Sequence, residues 1–171
     1  MYLIGDKIVL RAIEESDLYL LRQLINDAKT QRETLGWNFP ISEYQQKQWF
    51  YNSNKDNNCV RWVISTHDYE PLGIAMLSNI DWKNRSVNIG IKLTADAKGK
   101  GIGSESYRLI IDYAFKELQM NRIEAEVIEY NKASISLHEK LGFFKEGVKR
   151  KRIYQNGSYH NTLILSLLSN D

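Results

Sequence analysis

The chain has 171 residues, 43% of them hydrophobic and 26% charged, and a formal net charge of +2. That is the length and balance of one globular domain, able to bury roughly two thirds of its unfolded surface without disulfides or metals. Near neutrality gives no reason to expect a nucleic-acid partner, one cysteine excludes a disulfide framework or cysteine-rich metal site, and no run approaches the ~20 apolar residues of a membrane span.

In chain order, the opening "MYLIGDKIVLR" lacks the basic start and long apolar core of a signal peptide, so a cytoplasmic protein is expected. "KIVLRAI", Lys7 to Ile13, alternates as a strand, and "SDLYLLRQLINDA" follows as a helix. Ser16 or Asp17 is its candidate cap, and Leu18, Leu21, Leu24, Ile25 and Ala28 share one face. "TLGWNFP" is a loop with aromatic content, and "SEYQQKQWFYNS" a second helix with Ser42 as candidate cap. "CVRWVIST", "PLGIAMLSNID" and "SVNIGIKL" read as three strands on short connections, hence an antiparallel meander. Cys59 opens the first of them as a small hydrophobe rather than a nucleophile.

A helix with an apolar stripe (Ile102, Tyr107, Ile110, Ile111, Ala114, Phe115, Leu118) then leads to about Met120. "RIEAEVIEY" is a strand and "NKASISLHEKLG" a short helix that Gly142 closes. The tail folds back on itself at Asn156-Gly157, a strong hairpin signal. The order β-α-α-β-β-β-α-β-α-β-β implies an α/β fold. Its sheet is mixed and mostly antiparallel, with one parallel pair and helices on both faces. "KRKR", Lys149 to Arg152, is a solvated strand end, and three histidines at unrelated spacings give no metal site.

The chemistry concentrates in "KGKGIGS", Lys98 to Ser104, between a strand and a helix start. Unpaired backbone N–H groups and the helix dipole make that place an anion site, glycines allow close approach of a phosphate, and two lysines add charge. A Walker loop would end in Gly-Lys-Ser/Thr, and the dinucleotide fingerprint is G-x-G-x-x-G; Gly99, Gly101 and Gly103 at alternate positions fit neither.

"KGKGIG" after "NIGIKL", followed by a helix, a strand and "NKASISLHEKLGF", resembles the GCN5-related N-acetyltransferases over nearly the whole chain. The ends of the chain resemble the branch that acetylates ribosomal-protein N-termini and its polyamine and amino-sugar relatives. The resemblance implies acetyl-CoA as donor, no metal, an amine acceptor (a protein N-terminus or a small amine) and direct transfer; a homodimer is compatible with it. In that family the pyrophosphate loop corresponds to Lys98, Gly99, Lys100, Gly101, Ile102 and Gly103, with Lys98 in place of the usual Gln or Arg. Pantetheine pairs with main-chain atoms of a splayed strand, here Ile91, Lys92 and Leu93, where a backbone N–H near Leu93 polarises the thioester carbonyl. Asn131 and Ser134 fall beside the cofactor, and Asn131 also suits a helix cap.

Two departures matter. His138 stands where many relatives have Tyr, the implied general acid for the leaving thiolate; an imidazolium can serve. Asn88 stands where relatives often have Glu, and an amide is no base at neutral pH. Glu33, Glu124, Glu126 or solvent are the alternatives for that role. Trp37 and Phe39, in the loop where the family's acceptor site is bounded, either wall that site or serve as ordinary hydrophobic packing. The competing expectation is a non-catalytic acyl-CoA-binding regulatory module, which would keep the loop and lose the chemistry.

Overall fold

The computed structural model describes residues 1–36, 39–53 and 55–171. The chain runs β1 (Leu3–Ile4), β2 (Val9–Arg11), a 3-10 turn, α1 (Leu18–Asn26), α2 (Ala28–Glu33), α3 (Glu43–Ser53) and β3 (Cys59–Ser65). It continues through β4 (Pro71–Asp81), β5 (Ser86–Leu93), α4 (Ile102–Lys116), β6 (Arg122–Ile128), α5 (Lys132–Lys140), β7 (Phe144–Gln155) and β8 (Ser158–Leu168). All eight strands form one sheet in the order β1-β2-β3-β4-β5-β6-β8-β7. Its pairs are antiparallel except β5–β6, as the strand–helix–strand connection through the glycine loop requires.

The sheet buries both faces. Trp62, Ile64, Ala75, Leu77, Val87, Ile89 and Ile123 pack against the stripe of α4, of which Ile110 and Ala114 are fully buried. On the other face Ile74 meets Leu18, Leu21 and Leu24 of α1, with Trp49 and Phe50 of α3 packed beside them. Period-2 alternation along β4 sends its side chains to opposite helical layers.

The expected first helix is two. Asp27 leaves helical geometry (ψ 119°) and its carboxylate accepts from the Thr30 N–H at 2.7 Å, so it caps α2 and redirects the chain. Asp17 does not cap α1 with its side chain. Its carboxylate instead takes both guanidinium nitrogens of Arg11 at 2.8 Å and the Glu14 N–H at 2.8 Å, a buried pair tying β2 to the start of α1. Ser42 does cap α3, reciprocally with Gln45. Gly142 (φ +87°) ends α5, and Asn156 and Gly157 (φ +50° and +77°) form the hairpin turn.

Candidate active site

β5 and β6 pair only from Ser86 to Asn88 against Arg122 to Glu124. Beyond that both strands continue without a ladder between them. β6 stays with β8 along its whole length. β5 turns Ile91 and Leu93 onto Gly103, where a Cβ would stand 3.3 Å from Ile91 Cδ1 and 3.6 Å from Leu93 Cδ1. The glycine therefore lets the first turn of α4 sit directly against the diverging strand. The split opens a cavity of about 840 Å³, within the size range of ligand sites.

α4 points its N-terminus at this gap. Gly101 is its N-cap in the left-handed region (φ +83°), Gly99 is also left-handed (φ +76°), and no side chain caps the helix. The first-turn N–H groups are thus open to an anion, with the dipole behind them. Lys98, Gly99, Gly101 and Gly103 line the cavity. Lys100 and Ile102 do not. Lys100 is exposed, its carbonyl accepting from Lys7 Nζ at 3.4 Å, and the Ile102 side chain belongs to the core. Lys7, which reads in sequence only as the start of a strand, is thereby a further cation at the loop; nothing local could have revealed it, because it arrives from the turn between β1 and β2.

α2 bridges the gap. Glu33 pairs with Lys98 at 2.7 Å, and its main-chain carbonyl accepts from Asn131 Nδ2 at 2.8 Å. Tyr130 OH donates to the Arg32 carbonyl at 2.5 Å. Asn131 also caps α5, its Oδ1 accepting from Ser134 N–H at 3.0 Å. Asn131, Ser134 and His138 all line the cavity.

His138 is 1% exposed and lies edge-on between Tyr107 and Phe143, ring centroids 5.0 and 4.9 Å away. Nδ1 lies 2.7 Å from the Ser134 carbonyl, so it carries the proton and donates; Nε2 has no partner among the described residues. Burial pushes the ring below the ordinary histidine value, and the hydrogen bond to Ser134 only partly opposes it. The resting ring is therefore neutral with a bare Nε2. This differs from the imidazolium the sequence suggests, and the reason is desolvation. Tyr107, which reads in sequence as core, lines the cavity too. Burial raises its phenol, so it keeps its proton throughout the neutral range.

The other half of the cavity is the sheet face carrying Met76, Ser78, Asn88, Gly90 and Lys92, roofed by Thr30, Thr34 and Leu35. None of the three glutamates considered as a base stands free. Glu33 holds Lys98. Glu124 holds Arg122 at 2.5 Å. Burial alone would raise Glu126, but Lys149 at 2.8 Å and Thr162 at 2.5 Å outweigh it and hold the carboxyl below its ordinary value. Lys149 and Arg152 of the basic run face this carboxylate. Phe39 is exposed and does not line the cavity, and Trp37 lies outside the described residues. Cys59 is half-buried, its thiol pushed up by burial.

A strand split beside an uncapped, glycine-opened helix N-terminus leaves a bare main-chain edge able to pair with amides and a helix end able to receive an anion. The model of the acetyltransferase (GNAT) domain matches residues 7–144, and the chain belongs to that family. It is similar to the SPbeta prophage-derived uncharacterized N-acetyltransferase YokL of Bacillus subtilis, 27% identical over 97% of this chain and 92% of that one. The spermidine N(1)-acetyltransferase of Escherichia coli K12 is 26% identical over 93% and 84%. The crystal structure of spermidine N-acetyltransferase from Vibrio cholerae with CoA and spermine superposes with a TM-score of 0.88 at 25% identity, covering 97% of this chain and 98% of that one. The chain is an acetyl-CoA-dependent N-acetyltransferase. Among the described residues no cluster could hold a metal, and no helix is long and apolar enough to cross a membrane.

Proposed function

We propose that residues 1–171 work as one domain that acetylates a primary amine entering over the face of Met76, Ser78 and Gly90. The observation that carries this is the loss of the β5–β6 ladder after Asn88, beside the open N-terminus of α4. Acetyl-CoA supplies the activated acyl group as a thioester. The first-turn N–H groups of α4, with Lys98 and Lys7, receive its phosphates; the bare main-chain edge of Ile91, Lys92 and Leu93 receives its amides, and an N–H near Leu93 polarises the carbonyl.

His138 handles the proton. Since its resting ring is neutral, Nε2 first accepts the proton that the attacking nitrogen sheds and then gives it to the departing sulfur, while Nδ1–H stays on Ser134. The amine loses one proton and the sulfur gains one, so the step balances. Water removes the other proton of a protonated acceptor, because Glu33, Glu124 and Glu126 are all held in ion pairs.

Those same ion pairs favour a second reading, an acyl-CoA sensor without turnover. Thiol release from acetyl-CoA with an amine panel (polyamines, amino sugars, aminoglycosides, N-terminal peptides) separates the two. Amine-dependent release supports the transferase. Tight CoA binding with no release from any amine supports the sensor.

A further inference from the structure

The charges lining the cavity do not cancel. Among the described residues its carboxylates are Glu33 and Glu126, and both are already paired, one to Lys98 and the other to Lys149. Its remaining cations have no such partner. Lys140 lies on the α5 side. Lys29 on α2 and Lys92 on β5 belong to the half away from the glycine loop's helix.

Lys92 is the informative one. It pairs in register with Ile74, so the two side chains share a sheet face. Ile74 packs into the α1–α3 layer. The Lys92 side chain therefore leaves β5 on the face opposite α4, beside Gly90 and Asn88. It is half-buried, lines the cavity, and has no hydrogen bond or ion pair among the described residues. On that face it stands beside Ile74, Gly90 and Met76, with Asn88 and Ser78 further along the strands, and none of these balances an ammonium. Burial also pushes this ammonium below the ordinary lysine value, with no opposing charge to restore it. A half-buried cation without a counter-charge is less favourable than one in water, and a ligand that supplies the charge removes part of that cost.

We propose that the acceptor is an amine carrying an anionic group on the same molecule, a carboxylate or a phosphate, and that Lys92 binds that group. This rests on the transferase reading above and narrows it. A polyamine, cationic along its length, would meet Lys92 and Lys29 with no free carboxylate to receive it. An acidic amine pairs its anion with Lys92 and presents its nitrogen towards the diverging strands. Lys92 is then a specificity residue through its side chain, separate from the main-chain role of the same strand.

The test measures kcat and KM of the wild-type chain for matched acceptors. These are L-amino acids against their amides, glucosamine 6-phosphate against glucosamine, and spermidine. The first pair reports a carboxylate, the second a phosphate. At least one anionic member should exceed its neutral twin and spermidine by tenfold or more in kcat/KM, as expected for a charge-assisted contact. Lys92→Met should remove that preference, mainly through the acceptor KM, while acetyl-CoA affinity by calorimetry stays within twofold. Lys92→Arg should recover part of it, and thermal melts check that both variants fold. Spermidine or the neutral twins as the better substrates would overturn the proposal. So would a Lys92→Met effect confined to acetyl-CoA affinity, which would make Lys92 a cofactor anchor. Acetyl-CoA binding with transfer to no amine would refute the transferase reading itself, and the proposal with it.

Discussion

Gly101→Asp tests the proposed anion site with the least ambiguity. Gly101 has φ +83° at the N-cap of α4, so any L side chain there costs about 1–2 kcal/mol of backbone strain. That strain is present with and without ligand and cancels from a dissociation constant. Asparagine, which tolerates the left-handed region and matches aspartate in shape, is therefore the proper reference. The charge does not cancel. One unit charge about 6 Å from another is worth roughly 0.7 kcal/mol in water and 2.8 kcal/mol at an effective dielectric constant of 20. A second effect adds to it: a Cβ on residue 101 would lie 3.6 Å from Lys7 Nζ, so the new carboxylate would draw that cation away from the ligand. Acetyl-CoA should bind Gly101→Asp at least tenfold more weakly than Gly101→Asn in calorimetric titrations at low salt. The gap should narrow as salt is raised. Affinities within twofold of each other would show that no phosphate sits on this helix end.

His138→Phe should lower kcat by roughly 100-fold with little change in acetyl-CoA affinity, provided chemistry limits the rate; equal kcat would return His138 to a packing role. The lowered pKa of His138 also has a consequence for stability. Its folded value lies below 6.5, so the unfolded chain takes up the proton first, and the contribution is complete above pH 6.5 and lost as pH falls through the folded value. Urea melts of the Phe variant should therefore decline less steeply than wild type between pH 7 and 5, and parallel curves would contradict the neutral buried ring. Asp17→Ala leaves Arg11 buried without its carboxylate, a loss of roughly 3–5 kcal/mol. At ~2–4 °C per kcal/mol for a chain of this size, Tm should fall by about 6–20 °C; a fall under 3 °C would mean water replaces the partner. Glu33→Gln frees Lys98 from a partly exposed pair worth at most about 1 kcal/mol, so acetyl-CoA should bind up to fivefold more tightly, and weaker binding would show that Glu33 supports the site instead of competing for it.

Periodicity and punctuation in the chain were enough to place most elements. Strand-like runs on short connections marked β3, β4 and β5, alternation marked β6, glycine spacing marked the loop that opens α4, and Asn156-Gly157 marked the final hairpin. These signals are local, since a side chain two or four residues along shares its neighbour's face whatever the rest of the chain does. The break at Asp27 was missed because the α1 periodicity runs on through Ala28, while the cap that stops it depends on one backbone angle. The site divides the same way. Gly99, Gly101 and Gly103 marked the open start of α4 because their part in it lies in their own backbone. The state of His138 could not be read from its position four residues after Ser134. Its neutrality comes from Tyr107 and Phe143 closing over the ring, and those residues reach it from α4 and from beyond the end of α5. Glu33 likewise reads in sequence as one candidate base among several, and only the fold sets Lys98 against it from 65 residues away. Lys7 met the loop from 93 residues away. Lys92 was legible as a strand residue, but not as a cation without a counter-charge. Charge balance is a property of everything that surrounds a group, and only the packed chain determines what that is.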